Sequence, residues 1–560
     1  MNKKKVIGCV ISVIASLLII FGLYYVQLPA INVYAEEFWG FLMISMLILV
    51  LPLVIVIRAT NSIPISEIFK NVGRTKNYKN KVNVNFGKVG KIAIIVAVGI
   101  PLVVLILGGI LSSNFFNARA YASIVSVETG VFEEDMPESD SVTNIALMDS
   151  ASATVLGNRT LGSLSEMVSQ YELSNSYTQI NYKGSPQKVA NIEYADFFRW
   201  INNRDRGIPG FVMVDPVNNT AEYKELSRSM KYVDSAFFGE DLMRKLRFSY
   251  PTKIFGSVCF EIDDEGNPYF IVSCMKPTVG LFGAPDVNEV IIFDPCDGSS
   301  EIYGVGETPP WIDIVYTGDL AIQKYDWYGL YSGGYWNSVI GKVDCKQTTD
   351  DYGYITLGDD VWYFTGVTSV GSDESNIGFI ISNARTGEYK FYPVVGAEEY
   401  SAMAAAQGEV QEKGYVASFP SLVNISGKAT YIMVLKDNYG LVKLYALVNV
   451  EQYNIVATGE TQKAAVEAYE KLLRTNGITS GTPNLPEDKT ETHAVSVYSI
   501  SIIPVDSETI VYITGDDGKV YKAYFKDDES LILIRKGDKI NIKCSKTDIE
   551  GIYSLVSWTR

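Results

Sequence analysis

The chain has 560 residues, of which 47% are hydrophobic and 20% charged, with one histidine and a formal net charge of −16. This composition excludes a disordered or collagen-like polypeptide, and the length allows several domains with cores of their own. The single histidine argues against most metallohydrolase, Ser-His-Asp and Cys-His chemistry, because these mechanisms use imidazole as a base or a ligand.

Three apolar runs near the N-terminus are long enough to cross a bilayer, whose hydrocarbon core takes about 20 helical residues. They cover residues 6–26, 38–57 and 92–112. Pro52 and Pro101 lie inside the second and third runs, where a membrane helix tolerates them. The first run alone would also suit a signal peptide, but it is long for one and two further runs follow it. We therefore predict a membrane domain over 1–112 with three transmembrane helices.

Basic residues flank these runs unevenly. The N-terminus carries Lys3, Lys4 and Lys5, and the loop 58–91 carries eight Lys and Arg residues, whereas the loop between the first two runs carries none. Residues 1–112 hold 11 basic and 3 acidic residues, a net charge of +8, and the remainder holds 37 and 61, a net charge of −24. The positive-inside rule then predicts a multi-pass protein of the plasma membrane, with a cytoplasmic N-terminus, a cytoplasmic basic loop 58–91, and residues 113–560 outside. An outer part of this charge is not expected to bind nucleic acid.

A pattern recurs between residues 187 and 475, after a connecting segment over 113–186. An apolar strand ends in Asp or Asn, and a turn then leads to a strand that carries Tyr; the anchors are Asp215, Asp294, Asn383 and Asn449. Helical stretches follow the first, third and fourth copies, the last with Thr461 as an N-cap. Pro309 and Pro310 limit a helix after the second copy to a first turn. We predict about four units, each an antiparallel sheet with one helix.

The strand-turn-strand-helix pattern resembles the PepSY family of small extracytoplasmic domains over about residues 190–475. The resemblance implies a role in restraining secreted peptidases or in regulating the cell envelope. The segment 325–337, rich in Tyr, Trp and Gly, departs from the family pattern.

A linker over 476–492 separates the repeats from the last part of the chain. Six short apolar runs follow in 493–560, one of them at 530–534, and Asp517-Gly518 is a hairpin turn signal. These features predict a closed barrel of five or six strands, of OB or SH3-like type. The predicted fold class is thus a membrane-anchored α+β protein with sheet-plus-helix repeats and a C-terminal small β-barrel.

Ionisable residues give no clear catalytic or metal site in the sequence. His493, at the junction of linker and barrel, is interpreted as a solvated or capping side chain. The acids of the second repeat turn, Asp294, Asp297 and Glu301, do not have the spacing of an EF-hand loop, so we favour a hairpin turn over a calcium site. No cofactor or metal is predicted.

The cysteines do not form a disulfide framework, because five of them are spread over a large outer region. Cys259 and Cys274 lie on the two arms of a predicted hairpin, so a cross-strand disulfide between them is conceivable. The alternative is that all five are small buried residues.

The aromatic run at 325–337 has the most unusual composition in the chain. Tyr and Trp combine an apolar face with a polar edge, so the run is interpreted either as a ligand- or partner-binding loop or as a strand that covers a sheet. The predicted binding residues are Tyr325, Trp327, Tyr328, Tyr331, Tyr335 and Trp336.

Taken together, these features favour a membrane-anchored, extracytoplasmic binding or scaffolding protein of a bacterial-type cell envelope. Its expected partners are the membrane, other envelope proteins and cell-wall components, and no catalysis is expected. Three alternatives stay open: an envelope hydrolase that uses carboxylates, a sensor or regulator of secreted peptidases, and a spacer that carries the barrel away from the membrane.

Overall fold

A computed structural model describes residues 3–58, 87–137, 146–349, 351–370, 376–478, 490–505, 508–525, 528–547 and 551–560. Three long helices come first: α1 (Lys3–Gln27), α2 (Glu36–Arg58) and α3 (Gly87–Ser112). All three are long and apolar enough to cross a membrane, as predicted. Pro52 and Pro101 lie within α2 and α3 without ending them. Most of the predicted basic loop lies outside the described residues.

The three helices pack side by side through small residues. The Ser16 hydroxyl of α1 donates a hydrogen bond of 2.7 Å to the carbonyl of Ile48 in α2. Gly90 of α3 lies against the side chain of Val54, where even a methyl group would collide. Small residues allow such close approach of membrane helices, whose association depends on packing.

Shorter helices follow in the described part of the chain. They are α4 (Asn114–Ala122), α5 (Phe132–Asp135), α6 (Ser150–Gly162), α7 (Ser165–Val168), α8 (Phe197–Asn203), α9 (Leu242–Ser249), α10 (Gly318–Tyr331), α11 (Glu399–Glu409) and α12 (Gln462–Thr475). The helices predicted after the first, third and fourth repeats correspond to α9, α11 and α12. Thr461 caps α12 as predicted, since its hydroxyl accepts a hydrogen bond of 3.1 Å from the Ala464 N–H.

Four mainly antiparallel sheets form the region between the membrane helices and the barrel, as far as the described residues extend. The first has β2 (Tyr171–Leu173), β3 (Thr178–Tyr182), β4 (Ser185–Tyr194), β5 (Ile208–Asp215) and β6 (Thr220–Met230). The second has β7 (Ile254–Ile262), β8 (Pro268–Val279), β9 (Gly283–Phe293) and β10 (Ser300–Gly304). The first sheet thus begins at Tyr171, before residue 187 where the repeats were expected to start.

The third and fourth sheets follow the same up-and-down order. The third has β11 (Lys346–Thr348), β12 (Gly353–Leu357), β13 (Asp360–Ser369), β14 (Asn376–Asn383) and β15 (Tyr389–Tyr392), and the short β1 (Val127–Thr129) joins it in parallel beside β15. The fourth has β16 (Val416–Ala417), β17 (Ser421–Ile425), β18 (Lys428–Lys436), β19 (Val442–Asn449) and β20 (Val456–Gly459).

The four Asp and Asn anchors found in the sequence all lie where the last hairpin of a sheet turns. The Asp215 carboxylate accepts hydrogen bonds of 2.8 and 2.9 Å from the N–H groups of the next turn. Asp294 accepts one of 2.7 Å, Asn383 two of 2.9 Å, and Asn449 one of 2.8 Å in the same way. Side chains of this type fix a turn by bonding the backbone two or three residues ahead.

The sheets share their cores in pairs. Trp200, Phe211 and Phe270 belong to one buried cluster between the first and second sheets. Phe379 of the third sheet lies against Tyr431 of the fourth, with 5.7 Å between ring centroids. Burial of large aromatic surfaces of this kind is the main stabilising contribution to such a core.

The C-terminal region is a closed barrel of five strands. These are β21 (Glu491–Val505), β22 (Glu508–Gly515), β23 (Val520–Tyr524), β24 (Lys539–Lys546) and β25 (Ile552–Thr559), in the order β21-β22-β23-β25-β24. β23 and β25 are parallel, and β21 pairs with both β22 and β24. The predicted strand at 530–534 is wrong, because Glu529–Leu533 forms a 3-10 helix that buries Leu531 in the barrel core.

The cysteines are free thiols. In the β7–β8 hairpin, Cys259 lies opposite Ile271 and Cys274 lies opposite Phe255. The two cysteines are therefore in different cross-strand pairs, and the conceivable disulfide between them is absent from the described hairpin. Cys274, Cys296, Cys345 and Cys544 are buried, as expected for small apolar side chains.

Candidate functional site

The aromatic run is helical. Most of it belongs to α10, and its last residues, Tyr335 and Trp336, lie in a further helical turn. Both sequence interpretations, a loop and a strand, are therefore wrong. Aromatic residues have only slightly lower helix propensity than the average residue, and packing overrides it here. Thr317 begins the helix, because its hydroxyl accepts a hydrogen bond of 3.4 Å from the Leu320 N–H.

The six predicted binding residues do not form one surface. Tyr325 is only 1% exposed, and together with Tyr328 it packs into the core of the third sheet. Tyr335 lies beside Phe115, with 4.9 Å between ring centroids. Trp336 differs from the others, since 64% of it is exposed. Tyr325 and Tyr328 thus belong to the core, Tyr335 contacts α4, and most of Trp336 is exposed.

The remaining two aromatics, Trp327 and Tyr331, pack on the first helix outside the membrane segment. Their ring centroids lie 5.0 and 6.3 Å from that of Tyr121 in α4. The Tyr331 hydroxyl also accepts a hydrogen bond of 2.5 Å from the Asn114 amide. On their other side, both residues line a groove.

This groove, which we call the α10 groove, has a volume of about 440 Å³. It runs along one face of α10, because positions 319, 322, 323, 326, 327, 330 and 331 follow the helical spacing of three and four. The segment before β12 forms its other side. The lining residues are Asp319, Ile322, Gln323, Asp326, Trp327, Leu330, Tyr331, Asp351 and Tyr352.

Close packing fixes the two sides of the groove against each other. Gly318 lies directly against the Tyr352 ring, where a methyl group would collide with it. The Asp326 carboxylate accepts hydrogen bonds of 2.8 Å from the Thr348 N–H and 3.1 Å from the Thr348 hydroxyl. Replacement of Gly318 by a larger residue would therefore push the two sides apart.

The groove carries negative charge and aromatic faces together. Burial raises the pKa of Asp326, and its hydrogen bonds with Thr348 oppose that rise. In the described part of the chain, no Lys or Arg forms an ion pair with Asp319, Asp326 or Asp351. Lys324 of the same helix is buried and pairs with Asp286 at 2.7 Å. The Asp326 Oδ1 atom is engaged with Thr348, and the Asp351 Oδ1 atom accepts a hydrogen bond of 2.8 Å from the Tyr352 N–H. Asp319 and the second oxygens of Asp326 and Asp351 are thus available to donors of a ligand.

Sequence reasoning found only part of this site. It selected Trp327 and Tyr331, but not the carboxylates, because Asp319 and Asp351 are far apart in the chain and meet only in the fold. The four-residue spacing of Trp327 and Tyr331 was a usable signal, since it places both on one helix face.

A second group of acids, Glu261 and Asp313, is buried in the protein interior and does not line the α10 groove. The Glu261 carboxylate accepts hydrogen bonds of 2.9 and 3.0 Å from the N–H groups of Asp313 and Ile314. Burial raises the pKa of Asp313 to about 8. Burial also raises the pKa of Glu261, and the nearby negative charge of Asp313 adds to that rise. Glu261 is completely buried, so this pair joins the sheets and is closed to substrates.

The single histidine is neither fully solvated nor a helix cap. His493 Nδ1 lies 2.9 Å from the Tyr521 hydroxyl and 3.5 Å from Cys544 Sγ, and Nε2 lies 3.2 Å from Glu491. This Cys-His contact could not be predicted from the sequence, because the two residues are 51 positions apart and meet only through the pairing of β21 and β24. Burial raises the pKa of the Cys544 thiol to about 11, so the geometry does not provide a thiolate nucleophile.

The acids considered for calcium are engaged in a turn and in ion pairs. Asp294 and Asp297 contact the Arg228 guanidinium at 2.6 and 3.3 Å. Glu301 accepts a hydrogen bond from the Tyr303 hydroxyl. The hairpin turn is confirmed by the pairing of β9 and β10. Among the described residues, no group of three or more His, Cys, Asp and Glu side chains has the arrangement of a metal site.

Comparisons with known proteins give no family for the chain. No family model matches it, and no curated protein matches at a significant level. Among solved structures, a mutant of a Bombyx mori family 32 β-fructofuranosidase in complex with sucrose aligns at 11% identity, with a TM-score of 0.17. The alignment covers 69% of this chain and 64% of that enzyme. This similarity is too low to support any conclusion about fold or activity.

Proposed function

We propose that the protein is a membrane-anchored, extracytoplasmic binding protein of a bacterial-type envelope, and that the α10 groove binds a cell-wall component. The observation that carries this proposal is the combination of three carboxylates, which have no ion-pair partner among the described residues, with the Trp327, Tyr331 and Tyr352 rings in one concavity. Binding sites are commonly concave, largely apolar and equipped with a few oriented polar groups.

The chemistry of the groove favours a glycan among wall components. A sugar ring can lie on the faces of Trp and Tyr, while its hydroxyl or amino groups donate hydrogen bonds to carboxylates. Amino groups on the sugar would add an electrostatic attraction to Asp319 and Asp351. The groove therefore suits a wall glycan better than an anionic partner.

The contacts around the membrane helices support the proposed topology. The Arg247 guanidinium donates a hydrogen bond of 2.9 Å to the Leu28 carbonyl at the end of α1. The Ser112 hydroxyl, at the end of α3, accepts one of 2.8 Å from the Leu281 N–H. Both helix ends thus contact the same folded region, in agreement with the charge asymmetry that assigns residues 113–560 to the outside.

The finer fold assignments also belong to this proposal. The barrel order β21-β22-β23-β25-β24, with β23 and β25 parallel, supports an OB-type barrel. The four antiparallel sheets with similar anchored turns support the repeat interpretation. The PepSY resemblance stays a prediction, and with it a role in restraining secreted peptidases.

The proposal is tested with the full-length protein in detergent micelles. Binding to chitosan oligosaccharides and to soluble wall fragments is measured for the wild type, for Asp319→Asn combined with Asp351→Asn, and for Asp359→Asn. Asp359 is exposed on the turn between β12 and β13, outside the groove. We expect the double variant to lose binding and Asp359→Asn to retain it. Equal binding by all three proteins would reject the groove as the site.

A carboxylate-dependent glycosidase is a second candidate, because the groove holds an acid with a raised pKa beside further carboxylates. Such a pair can divide the roles of general acid and base or nucleophile. Release of new reducing ends from wall fragments by the wild type, and its loss in Asp326→Asn, would favour this enzyme over a binding protein.

A further inference from the structure

Exposed apolar side chains gather at two places where the outer region meets the membrane helices. The first, the α4 patch, has Phe115, Phe116, Trp336, Val339, Ile340 and Val343. The second, the α9 patch, has Phe198, Ile201, Phe237, Phe238 and Phe248. Contiguous apolar surface of this kind is unusual on a soluble face and marks an interaction site.

The α4 patch begins directly at the end of the third membrane helix. Phe115 is three residues after Ser112, so its backbone is within about 10 Å of that end. The Phe115 ring lies 5.9 Å from the ring of Trp336. Trp336 is therefore close to the end of the third membrane helix, and the 75% exposed Ile340 follows it in the chain.

The tip of the β8–β9 hairpin reaches the same helix end. The N–H groups of Leu281 and Phe282 donate hydrogen bonds of 2.8 and 3.0 Å to the Ser112 hydroxyl. The Phe282 ring extends along α3 as far as Gly108, where an added methyl group would come within 2.5 Å of it. This apolar tip thus lies beside the last helical turn of the membrane span.

The α9 patch adjoins the end of the first membrane helix. The Phe248 ring lies 5.6 Å from that of Tyr24, and the Arg244 guanidinium is stacked over the Tyr25 ring at 4.3 Å. Arg244 also donates a hydrogen bond of 2.7 Å to the carbonyl of Phe238, which is 59% exposed. Phe238 and Phe248 are therefore held next to the end of α1.

We propose that the outer region is seated in the headgroup layer of the bilayer through the α4 and α9 patches, with the Leu281–Phe282 hairpin tip between the phosphates. This inference rests on the proposed membrane anchoring. The occupant of both patches is the lipid surface itself, because each patch is continuous with a membrane-spanning helix. Aromatic side chains favour the membrane interface, because their apolar rings and polar edges suit the headgroup layer.

Seating of this kind has a consequence for the α10 groove. Tyr331 forms one wall of the groove and is bonded to Asn114, two residues after the membrane helix ends. The groove would then lie close to the outer leaflet and meet wall components at the membrane surface.

The test uses full-length protein in vesicles of phosphatidylethanolamine and phosphatidylglycerol, with and without lipids brominated near the head of the acyl chain. The emission of Trp336 is obtained as the difference between the wild type and Trp336→Phe. We expect brominated lipid to quench most of this emission. Iodide in the aqueous phase should not reduce it. The matched difference for Trp558→Phe, from the barrel, should show no quenching by brominated lipid.

Two results would overturn the seating. Quenching of Trp336 by iodide alone would place the patch in water, and protection from both quenchers would indicate a protein cover. A wash with alkaline carbonate distinguishes failure of the seating from failure of the membrane anchoring. A protein whose helices span the membrane stays with the vesicles after this wash, even if its outer region is not seated in the headgroups. As a second check, Ile340→Asp should shift the Trp336 emission to longer wavelength, whereas Tyr439→Asp, on an exposed turn of the fourth sheet, should not.

Discussion

The Asn114 amide donates a hydrogen bond of 2.5 Å to the Tyr331 hydroxyl, which connects the start of α4 to a wall of the α10 groove. The same tyrosine packs on Tyr121, whose hydroxyl donates a hydrogen bond of 2.8 Å to the Ser112 carbonyl at the end of the membrane helix. A short chain of contacts thus connects the groove to the end of the membrane helix. We expect a substitution that breaks one of these contacts to change the shape of the groove.

Loss of this hydrogen bond should loosen the groove without unfolding the protein. Tyr331→Phe keeps the ring and removes the hydroxyl, which leaves the Asn114 amide without this acceptor. We expect a loss of about 1 kcal/mol in stability and weaker binding of wall glycans. Thermal unfolding and binding are measured in micelles, with Tyr439→Phe as the control on an exposed turn. Unchanged binding would show that the contact does not shape the groove.

The two ends of the aromatic run should respond differently to truncation. Tyr325 is fully buried, so Tyr325→Ala should lower the free energy of unfolding by about 3–5 kcal/mol, as large core deletions do. Trp336→Ala removes an exposed ring and should change it by less than about 0.5 kcal/mol in micelles. Chemical unfolding in urea compares the two; equal losses would contradict the division of the run between core and surface.

Stability should depend on pH through Asp313. Folding raises the pKa of this carboxyl from its ordinary value of 3.8 to about 8, so the folded protein holds a proton that the unfolded chain loses between these pH values. The free energy of unfolding should therefore fall as pH rises from about 4 to about 8. Asp313→Asn should weaken this dependence without abolishing it, because burial also raises the pKa of Glu261, and it should raise the free energy of unfolding at pH 8 by about 2 kcal/mol or more.

The matched control for this prediction is Asp359→Asn, because Asp359 is exposed and carries the same charge. Its pH profile should follow that of the wild type. A wild-type profile that is flat between pH 4 and pH 8 would mean that the buried pair does not hold the extra proton.

The topology can be tested by labelling introduced cysteines in intact cells. A membrane-impermeant maleimide should label Val33→Cys, on the exposed turn between α1 and α2, without permeabilisation. It should label Lys4→Cys only after the membrane is opened, because the positive-inside rule assigns the N-terminus to the cytoplasm. The opposite pattern would invert the topology and place the groove inside the cell.

The cysteines should behave as unpaired, slow-reacting thiols. Burial raises the pKa of Cys259 to about 12 and that of Cys274 to about 11, so few thiolates exist at neutral pH. Titration with a thiol reagent should find all six groups free after unfolding and most of them protected before it. A mass two units lower per pair under non-reducing conditions would instead reveal a disulfide.

The parts of the fold with strong local signals could be predicted from sequence. The three membrane helices follow from uninterrupted apolar length, and α12 from its apolar spacing and the Thr461 cap. The anchored turns at Asp215 and Asn449 follow from the tendency of these side chains to bond the backbone ahead of them.

The parts of the fold that depend on tertiary packing could not be predicted from the sequence. α10 is rich in Tyr and Gly, and it is helical because Tyr325 is buried against the third sheet. The run at 530–534 is apolar enough for a strand, but most of it is a 3-10 helix that packs Leu531 into the barrel core. The groove needs Asp319 and Asp351 to come together, and no local pattern predicts such a meeting.

The most direct test of the central claim, that the α10 groove binds a wall glycan, is photocrosslinking in intact cells. A benzophenone amino acid replaces Gln323 in the groove or, as the control, Tyr439 on its exposed turn. We predict a sugar-containing adduct, removed by digestion with a wall-degrading glycosidase, at position 323 and none at position 439. An adduct free of sugar at 323, or the same products at both positions, would contradict the account.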